Sequence, residues 1–550
     1  MKSIFIKLFF SFILISSTLS AQNVYEPINS YIYDYLERLT VKGVINFNSA
    51  IEPITRHEIA GYLLTADSLQ SKLTPLEIKE LQFYEEEYAD EIDILTGTEC
   101  YELPQTDFFR SGDTGRFRVF RYRDSSFTFY ADPILGYEIN FVGGKNNSHR
   151  FNGAQFSGYY KQWGFSLKFR DNEETGDNID FTKSLTTVPG INLTKMGKQS
   201  VQYDVVDAEV NYGWSTGVIS LGKYNLNWGS GQGGKLILSD KAPSFPMIRF
   251  EFYPVSWLKF TYFHGWLKSN VVDSSTIRKT PVSGREDIQE IPKFIAAHMI
   301  SFYPWNNLTF SIGESIIYSH DIQPVYFIPV IFFKAVDHYL SSKEIESSSG
   351  NAQLFFDAYY KNSALRSKVY GTLFIDEISF ENIFKGGNLS ALGYTLGIET
   401  IDPVVKNSSI LIEYSRINPF VYTNSNNTQL YTNNRYQLGH WIGSNADQIY
   451  MKYQQQILRG LSADITGWYV RKGQKENPED QYRLPYPEFL YGAKLTWLQV
   501  GLDVEYEVIH GLVGKVSYGY SNRTDQATDR TPDYLMGKKS SIGIGVRYGF

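Results

Sequence analysis

The segment SSIGIGVRYGF, residues 540–550, alternates without a break. Ile542, Ile544, Val546, Tyr548 and Phe550 fall on one face of an extended chain, and Gly543, Gly545, Arg547 and Gly549 fall on the other. Residues 500–508 repeat the pattern: Val500, Leu502, Val504, Tyr506 and Val508 alternate with Gly501, Asp503, Glu505 and Glu507. A period of two is the period of a β-strand. A face with three acids cannot sit in hydrocarbon, where charge is costly, so it meets water or polar partners while the other face is buried. A soluble sandwich obeys the same code, so the rest of the chain must decide between sandwich and membrane barrel.

From about residue 115 the alternation continues to the end. Eighteen strand candidates run from 134–142 to 540–550, among them 488–497 and 500–508 joined by a short turn at 497–500. Long polar segments at 171–200, 268–292, 417–446, 472–486 and 522–537 contrast with short turns such as 160–164. That asymmetry is typical of outer-membrane barrels, whose long loops face outward. The chain has 41 Tyr and 37 Phe, yet its mean hydropathy is −0.28, because the apolar residues are spread by alternation. Beyond the N-terminus the longest apolar run is Val325 to Phe333, broken by Pro329, too short for a membrane helix. The terminal Phe550 resembles the signal read by the barrel-insertion machinery. The reading is mainly β: a large antiparallel outer-membrane barrel of about 18 strands over 116–550.

The first residues set the compartment. Lys2 and Lys7 precede an apolar stretch to Ile15, and the small residues Ser16, Ser17, Thr18, Ser20 and Ala21 follow. This is the pattern of a signal peptide over 1–21. One cysteine, Cys100, gives no disulfide framework. Net charge is −7, or about −9 without Lys2 and Lys7, which excludes nucleic acid as a partner. Residues 22–95 have a helical period instead. Ile32, Tyr35, Leu36 and Leu39 share a face; Thr55 with Glu58, and Thr74 with Glu77 after Pro75, read as capping boxes. These predict a three-helix bundle (27–41, 55–68, 75–92) on the periplasmic side, with 96–115 as a linker to the barrel.

No catalytic set stands out. His57-Glu58 lacks the second histidine of a zinc protease, since position 61 is Gly61. The run from Asp171 to Asp177 begins like a calcium loop, but Thr182 stands where the bidentate acid belongs. The eight histidines are scattered, and the row Asp503, Glu505, Glu507 reads as barrel lining paired with basic residues of neighbouring strands. A hydrolase would need a convergent acid–base set, which is not visible. Hence no enzyme, cofactor or metal is expected.

The stretch GSGQGGKL, 229–236, places Gly229, Gly234 and Lys235 where a phosphate-binding loop would have them. Leu236 stands where the Mg²⁺-holding Ser or Thr belongs, and no helix follows, so a nucleotide is not expected. Two readings remain: a glycine kink that shapes the barrel, or a sugar contact through Trp228, Lys235, Asp240 and Arg249, with the ring stacking and the charged groups holding hydroxyls or uronates.

Several segments are similar to the Wzi family of outer-membrane capsule assembly proteins. They are YDYLERL at 33–39, KGVI at 42–45, PITRHEIA at 53–60, LGK at 221–223, WGSG at 228–231, LILS at 236–239 and the stretch from Pro243 to Pro246. The resemblance implies an eighteen-strand barrel whose inner mouth is closed by the helices. It also implies a non-catalytic, lectin-like role: anchoring capsular or exopolysaccharide at the cell surface, in contact with outer-membrane lipid. The alternative from the residues alone is a sugar-selective or general porin.

Overall fold

The structure is a computed structural model that describes residues 23–98, 104–110, 115–279, 286–341, 350–378, 390–481, 485–527 and 530–549. The expected signal peptide, Cys100 and Phe550 lie outside the described residues.

Eighteen antiparallel strands close into a barrel. In chain order they are β1 (Phe127–Val142), β2 (Lys145–Tyr160), β3 (Trp163–Gly176), β4 (Ser200–Trp214), β5 (Gly217–Tyr224), β6 (Phe245–Val255), β7 (Leu258–Leu267), β8 (Lys293–Trp305) and β9 (Leu308–Ser319). The second half comprises β10 (Asn351–Asn362), β11 (Ser367–Ile378), β12 (Ser390–Ile401), β13 (Ser408–Ile417), β14 (Ala446–Leu458), β15 (Leu461–Lys472), β16 (Leu495–Ile509), β17 (Leu512–Asp525) and β18 (Gly537–Tyr548). Each strand pairs with the next, and β18 returns to β1 with Ile544 opposite Ile139. Closure pairs every edge, the condition a sheet must meet to cross a bilayer.

The alternation resolves as anticipated. Ile542, Ile544 and Val546 are exposed outward, as are Leu498, Val500 and Leu502. The acids of β16 face inward, where Lys515 on β17 lies 2.9 Å from both Asp503 and Glu505. Two strand boundaries need correction. The turn expected at 497–500 does not exist: β16 runs through it, and Gly501 sits mid-wall between Thr466 and Gly519. The actual turn is His510-Gly511, where Gly511 has φ +82°. Strand β17 follows it and runs on to Asp525, into the 522–537 segment expected to be a loop. The run from Asp171 is likewise no loop but the end of β3, with Glu173 bound to Arg150 and Glu174 to Lys183.

Apart from the tight Gly143-Gly144 turn between β1 and β2, connections sort by length. Turns at 161–162, 215–216, 256–257, 306–307, 363–366, 402–407, 459–460 and 510–511 share one end. The long segments 177–199, 225–244, 268–292, 320–350, 418–445 and 473–494 belong to the other. At the short-turn end lie α1 (Ile32–Val41), α2 (Arg56–Ser68), α3 (Pro75–Glu87) and α4 (Ala89–Thr96). The third helix expected from sequence is thus broken in two at Tyr88. Thr74 and Glu77 form the full capping box, whereas Thr55 accepts from the Glu58 N–H and the Glu58 carboxylate instead meets Lys259 of the wall at 3.2 Å. Ile32, Leu36, Leu39, Ile59, Leu63 and Leu81 form the bundle's core. Polar bonds tie it to the turns: Arg38 to Asp402 (2.6 Å), Glu80 to the Gly460 N–H (2.8 Å) and His510 to the Phe83 carbonyl (2.6 Å). Residues 105–110, within the segment read as a linker, form a strand that pairs with Arg118–Arg123, which in turn runs beside the first half of β1.

Candidate functional site

Three segments enter the barrel and fill much of its lumen. From the helical end, the stretches on either side of α1, residues 23–26 and 45–55, run along the inner wall. From the opposite end, 225–244 and 418–445 fold inward. They meet at the glycine-rich stretch. Ile51 and Glu52 pair with Trp228 and Asn227 as a two-stranded ribbon, and the Gly229 N–H donates to the Ala50 carbonyl at 2.9 Å. Tyr422 and Tyr431 donate from the third segment to the Leu236 and Ile237 carbonyls (2.5 and 2.9 Å). Trp228, Leu236, Leu238, Phe263, Phe355 and Tyr422 belong to one buried apolar cluster between plug and wall.

The backbone N–H groups of the glycine stretch do cradle anions, but the anions are the protein's own. Ser230 donates through N and Oγ to Asp357 of β10 (2.8 and 2.7 Å). Gln232 and Gly233 donate through N to Glu413 of β13 (2.7 and 2.9 Å), which also accepts from Tyr370 (2.6 Å). The Ser230, Gln232 and Gly233 N–H groups are thus committed to wall carboxylates rather than offered to a phosphate. The glycines are there for close approach: a Cβ on Gly233 would lie 2.8 Å from the Tyr450 Cβ, and one on Gly234 would lie 2.5 Å from His440 Nε2.

The four residues singled out from sequence divide into two pairs. Trp228 is 1% exposed and edge-packed on Phe263 and Phe355; it holds the plug together. Arg249 is 0% exposed. It bonds Glu251 at 2.5 Å and the Pro53 carbonyl at 2.9 Å, and lies over the Tyr25 ring, so it fastens the entering N-terminal chain to the wall. Lys235 and Asp240 line a cavity of about 470 Å³ between the glycine stretch, the helical end and the β14–β15 wall. Trp441, Trp468, Tyr450 and Gln448 line it too, with Glu52 and Asn227. Its size is in the range of ligand pockets, roughly 300–1,000 Å³. Both polar atoms of the Gln448 amide, the Trp468 indole N–H and Asn227 Oδ1 are buried without a partner among the described residues. Such groups, in a polar cavity, call for water or ligand. Two of the indoles belong to an edge-on trio: Trp468 lies 6.3 Å from Trp441, and Trp497 is 5.5–5.6 Å from each.

Charge inside the plug is finely placed. Burial raises Glu52 to about 7, with Lys235 pulling the other way. Burial raises Asp240 as well, and lowers His440 to about 3. An acid with a raised native pKa keeps a proton that the unfolded chain loses, so its effect is to make stability fall as pH rises. For Glu52 that window runs from its ordinary 4.5 to about 7 and amounts to roughly 3 kcal/mol. Glu52→Gln removes this term. Relative to the wild type, the thermal midpoint of the detergent-solubilised variant should be higher by more at pH 8 than at pH 5; the same difference at both values would show that Glu52 is not protonated in the fold.

Sequence reasoning did not find Asp357, Glu413, Gln448 or Trp468. Each is an inward residue of an ordinary alternating strand, and only the inward folding of distant segments gives it a role.

A closed transmembrane barrel with an internal plug and an aromatic, polar cavity is the class of protein that the fold and site define. The chain belongs to the family of the capsule assembly protein Wzi, whose family model matches residues 115–532, and it is an integral outer-membrane protein. Among solved structures it is similar to Wzi of Escherichia coli, described as an outer-membrane protein involved in group 1 capsule assembly and as a carbohydrate-binding β-barrel. The identity is 16%, over 96% of this chain and 100% of that one, with a TM-score of 0.55, a likeness of fold. OprD of Pseudomonas aeruginosa (10% identity, 80% and 98% coverage, TM-score 0.40) and OccAB2 of Acinetobacter baumannii (10%, 76% and 98%, 0.42) are more distant barrels. No curated protein sequence matches the chain.

Proposed function

We propose that this protein binds capsular or exopolysaccharide without catalysis and holds it at the cell surface. The observation that carries the reading is the plugged lumen, in which a cavity keeps an unpaired amide, an unpaired indole N–H and aromatic walls. That combination suits a sugar, which offers hydroxyls to polar groups and a carbon face to rings. Lys235 and Asp240 add charge for hydroxyls or uronates. The long connections form the outer surface and the helices stand in the periplasm, in keeping with the usual orientation of such barrels. A porin would need an open path, and here three chain segments occupy the lumen.

Deleting the gene should leave polymer synthesis intact and move polymer from cells to medium. Unchanged surface retention would reject the reading. Purified Gln448→Ala/Trp468→Ala should bind the polymer more weakly by about 1–3 kcal/mol, which is roughly 5-fold to 150-fold in Kd, for one lost polar contact and one lost ring. Equal affinity of variant and wild type, measured by calorimetry, would place the sugar elsewhere.

A further inference from the structure

The apolar run Val325 to Phe333 has no role in the plug. It lies in the connection between β9 and β10, and it covers the outer face of the wall. Alternation fixes this placement. On β7, Lys259, Thr261, Phe263 and Leu267 face the lumen, where Phe263 packs on Trp228. Tyr262, His264 and Trp266 therefore face outward. On β8 and β9 the same rule turns His298, Glu314, Ile316 and Tyr318 outward, while Ile295, Met299 and Ile317 join the lumen cluster. Yet Tyr262, His264, Glu314 and Tyr318 are buried. What buries them is the strap: a turn of 3₁₀ helix at Pro324–Phe327, then α5 (Phe333–Ser341). Tyr326 and Phe333 pack on Phe260, Phe294 and Ile316.

The strap also satisfies the wall's polar groups. Glu314 accepts from the Phe333 N–H at 2.6 Å and the Lys334 N–H at 3.3 Å, at the start of α5. His298 Nε2 lies 3.3 Å from the same carboxylate. Tyr262 donates to the Tyr326 carbonyl (2.8 Å), and the His264 ring stacks on Phe327 with centroids 4.1 Å apart. A carboxylate and two imidazoles at lipid-facing positions would be costly bare; covered, each has one partner, Glu314 at the start of α5, His298 Nε2 on Glu314 and His264 Nε2 on Tyr318.

The covering layer has its own exterior, and it is apolar. Val330 is 78% exposed, Phe332 54% and Tyr339 58%, with Ile322 and Ile328 beside them. No charged residue occurs from Ile322 to Phe333. The strap meets part of its own backbone demand: Pro324 and Pro329 have no N–H, and the Tyr326, Ile328 and Ile331 N–H groups donate within the strap. On either side the exposed wall residues are also apolar, Leu221 and Phe252 on β5 and β6, Phe310 and Tyr360 on β9 and β10.

We propose that residues 321–341 are a strap embedded in the outer leaflet, and that the partner of its exposed face is membrane lipid. The strap continues the barrel's apolar belt across a stripe where the wall itself is polar. Lys334 and His338, exposed on α5, reach toward headgroups. This assignment is independent of sugar binding.

The test uses Val330→Cys in a Cys100→Ser background, labelled with an environment-sensitive fluorophore and reconstituted in phosphatidylcholine vesicles. Val188→Cys, exposed in the 177–199 connection, is the control. Brominated acyl chains should remove most of the emission at 330 and little at 188. Equal, weak quenching at both sites would overturn the proposal. So would an unquenched label at 330 together with disulfide cross-linking of the unlabelled Val330→Cys protein between copies, since the partner would then be a second barrel. Phe332→Cys repeats the measurement should Val330→Cys fail to fold, with gel mobility before and after heating as the check on the barrel.

Discussion

Asp357→Ala/Glu413→Ala should turn a closed barrel into a conducting one. The two carboxylates take four donors from the glycine-rich stretch and one each from the wall residues Tyr370 and Thr372. Removing them strands three backbone N–H groups in the lumen. An unpaired buried donor costs about 1–3 kcal/mol, so the docked loop loses roughly 3 kcal/mol or more. The wall strands lose nothing comparable, because their ladder is intact. The loop therefore leaves its seat while the barrel stays closed. In planar bilayers the wild type should sit near baseline, and the double variant should show steady or flickering ion current well above it. A silent double variant that still passes the heat-mobility check would mean that the apolar cluster around Trp228 holds the plug without help from the acids.

Arg56→Ala should release the helical bundle. The Arg56 guanidinium lies 2.7 Å from Glu91, 3.0 Å from Glu26 and 3.5 Å from Glu87, and over the Tyr88 ring. All three acids are nearly buried, and Glu91 also accepts from Tyr159 of β2 at 2.6 Å. Deleting one partner of a buried charge group typically costs about 3–5 kcal/mol, since the acids are left uncompensated. Burial by itself would raise Glu87; Arg116, His510, Arg118 and Arg56 more than offset it and hold the carboxyl well below its ordinary range. A lowered native pKa gives stability above the ordinary value that is lost as pH falls through the native one. The variant should behave differently. With less cation nearby the acids rise, and mild acid neutralises them. The defect should thus be larger at pH 7.5 than at pH 5, read as protease sensitivity of residues 23–98 with the barrel core intact. Equal sensitivity at both values would remove Arg56 from this role.

The wall was legible because lipid demands alternation, and alternation survives in Ile542, Ile544 and Val546 as in Leu498, Val500 and Leu502. The helices were legible from Thr74, Pro75 and Glu77, whose cap is local. The turn placed at 497–500 failed because Gly501 looks like punctuation, while in the wall it sits against Thr466 and Gly519. The site was half legible. Glycine density flagged 229–236, but a polar segment that folds inward has the same composition as one that stays outside. Neither the grip of Glu413 on Gln232 nor the cavity at Gln448 has a local signature. The strap shows the reverse case. His264, His298 and Glu314 break the outward code of their strands, and that breach, together with the apolar run at 325–333, is the signal that something covers the wall there.

The ribbon of Ile51 and Glu52 with Asn227 and Trp228 makes the two plug segments depend on each other. One comes in from the helical end and the other from the long-connection end, and neither can complete its hydrogen bonds until both have arrived. Their joint is anchored to the cylinder by Arg249 on the Pro53 carbonyl, a bond sealed from solvent. Whatever loosens one mouth of the barrel therefore weakens the stopper at the other.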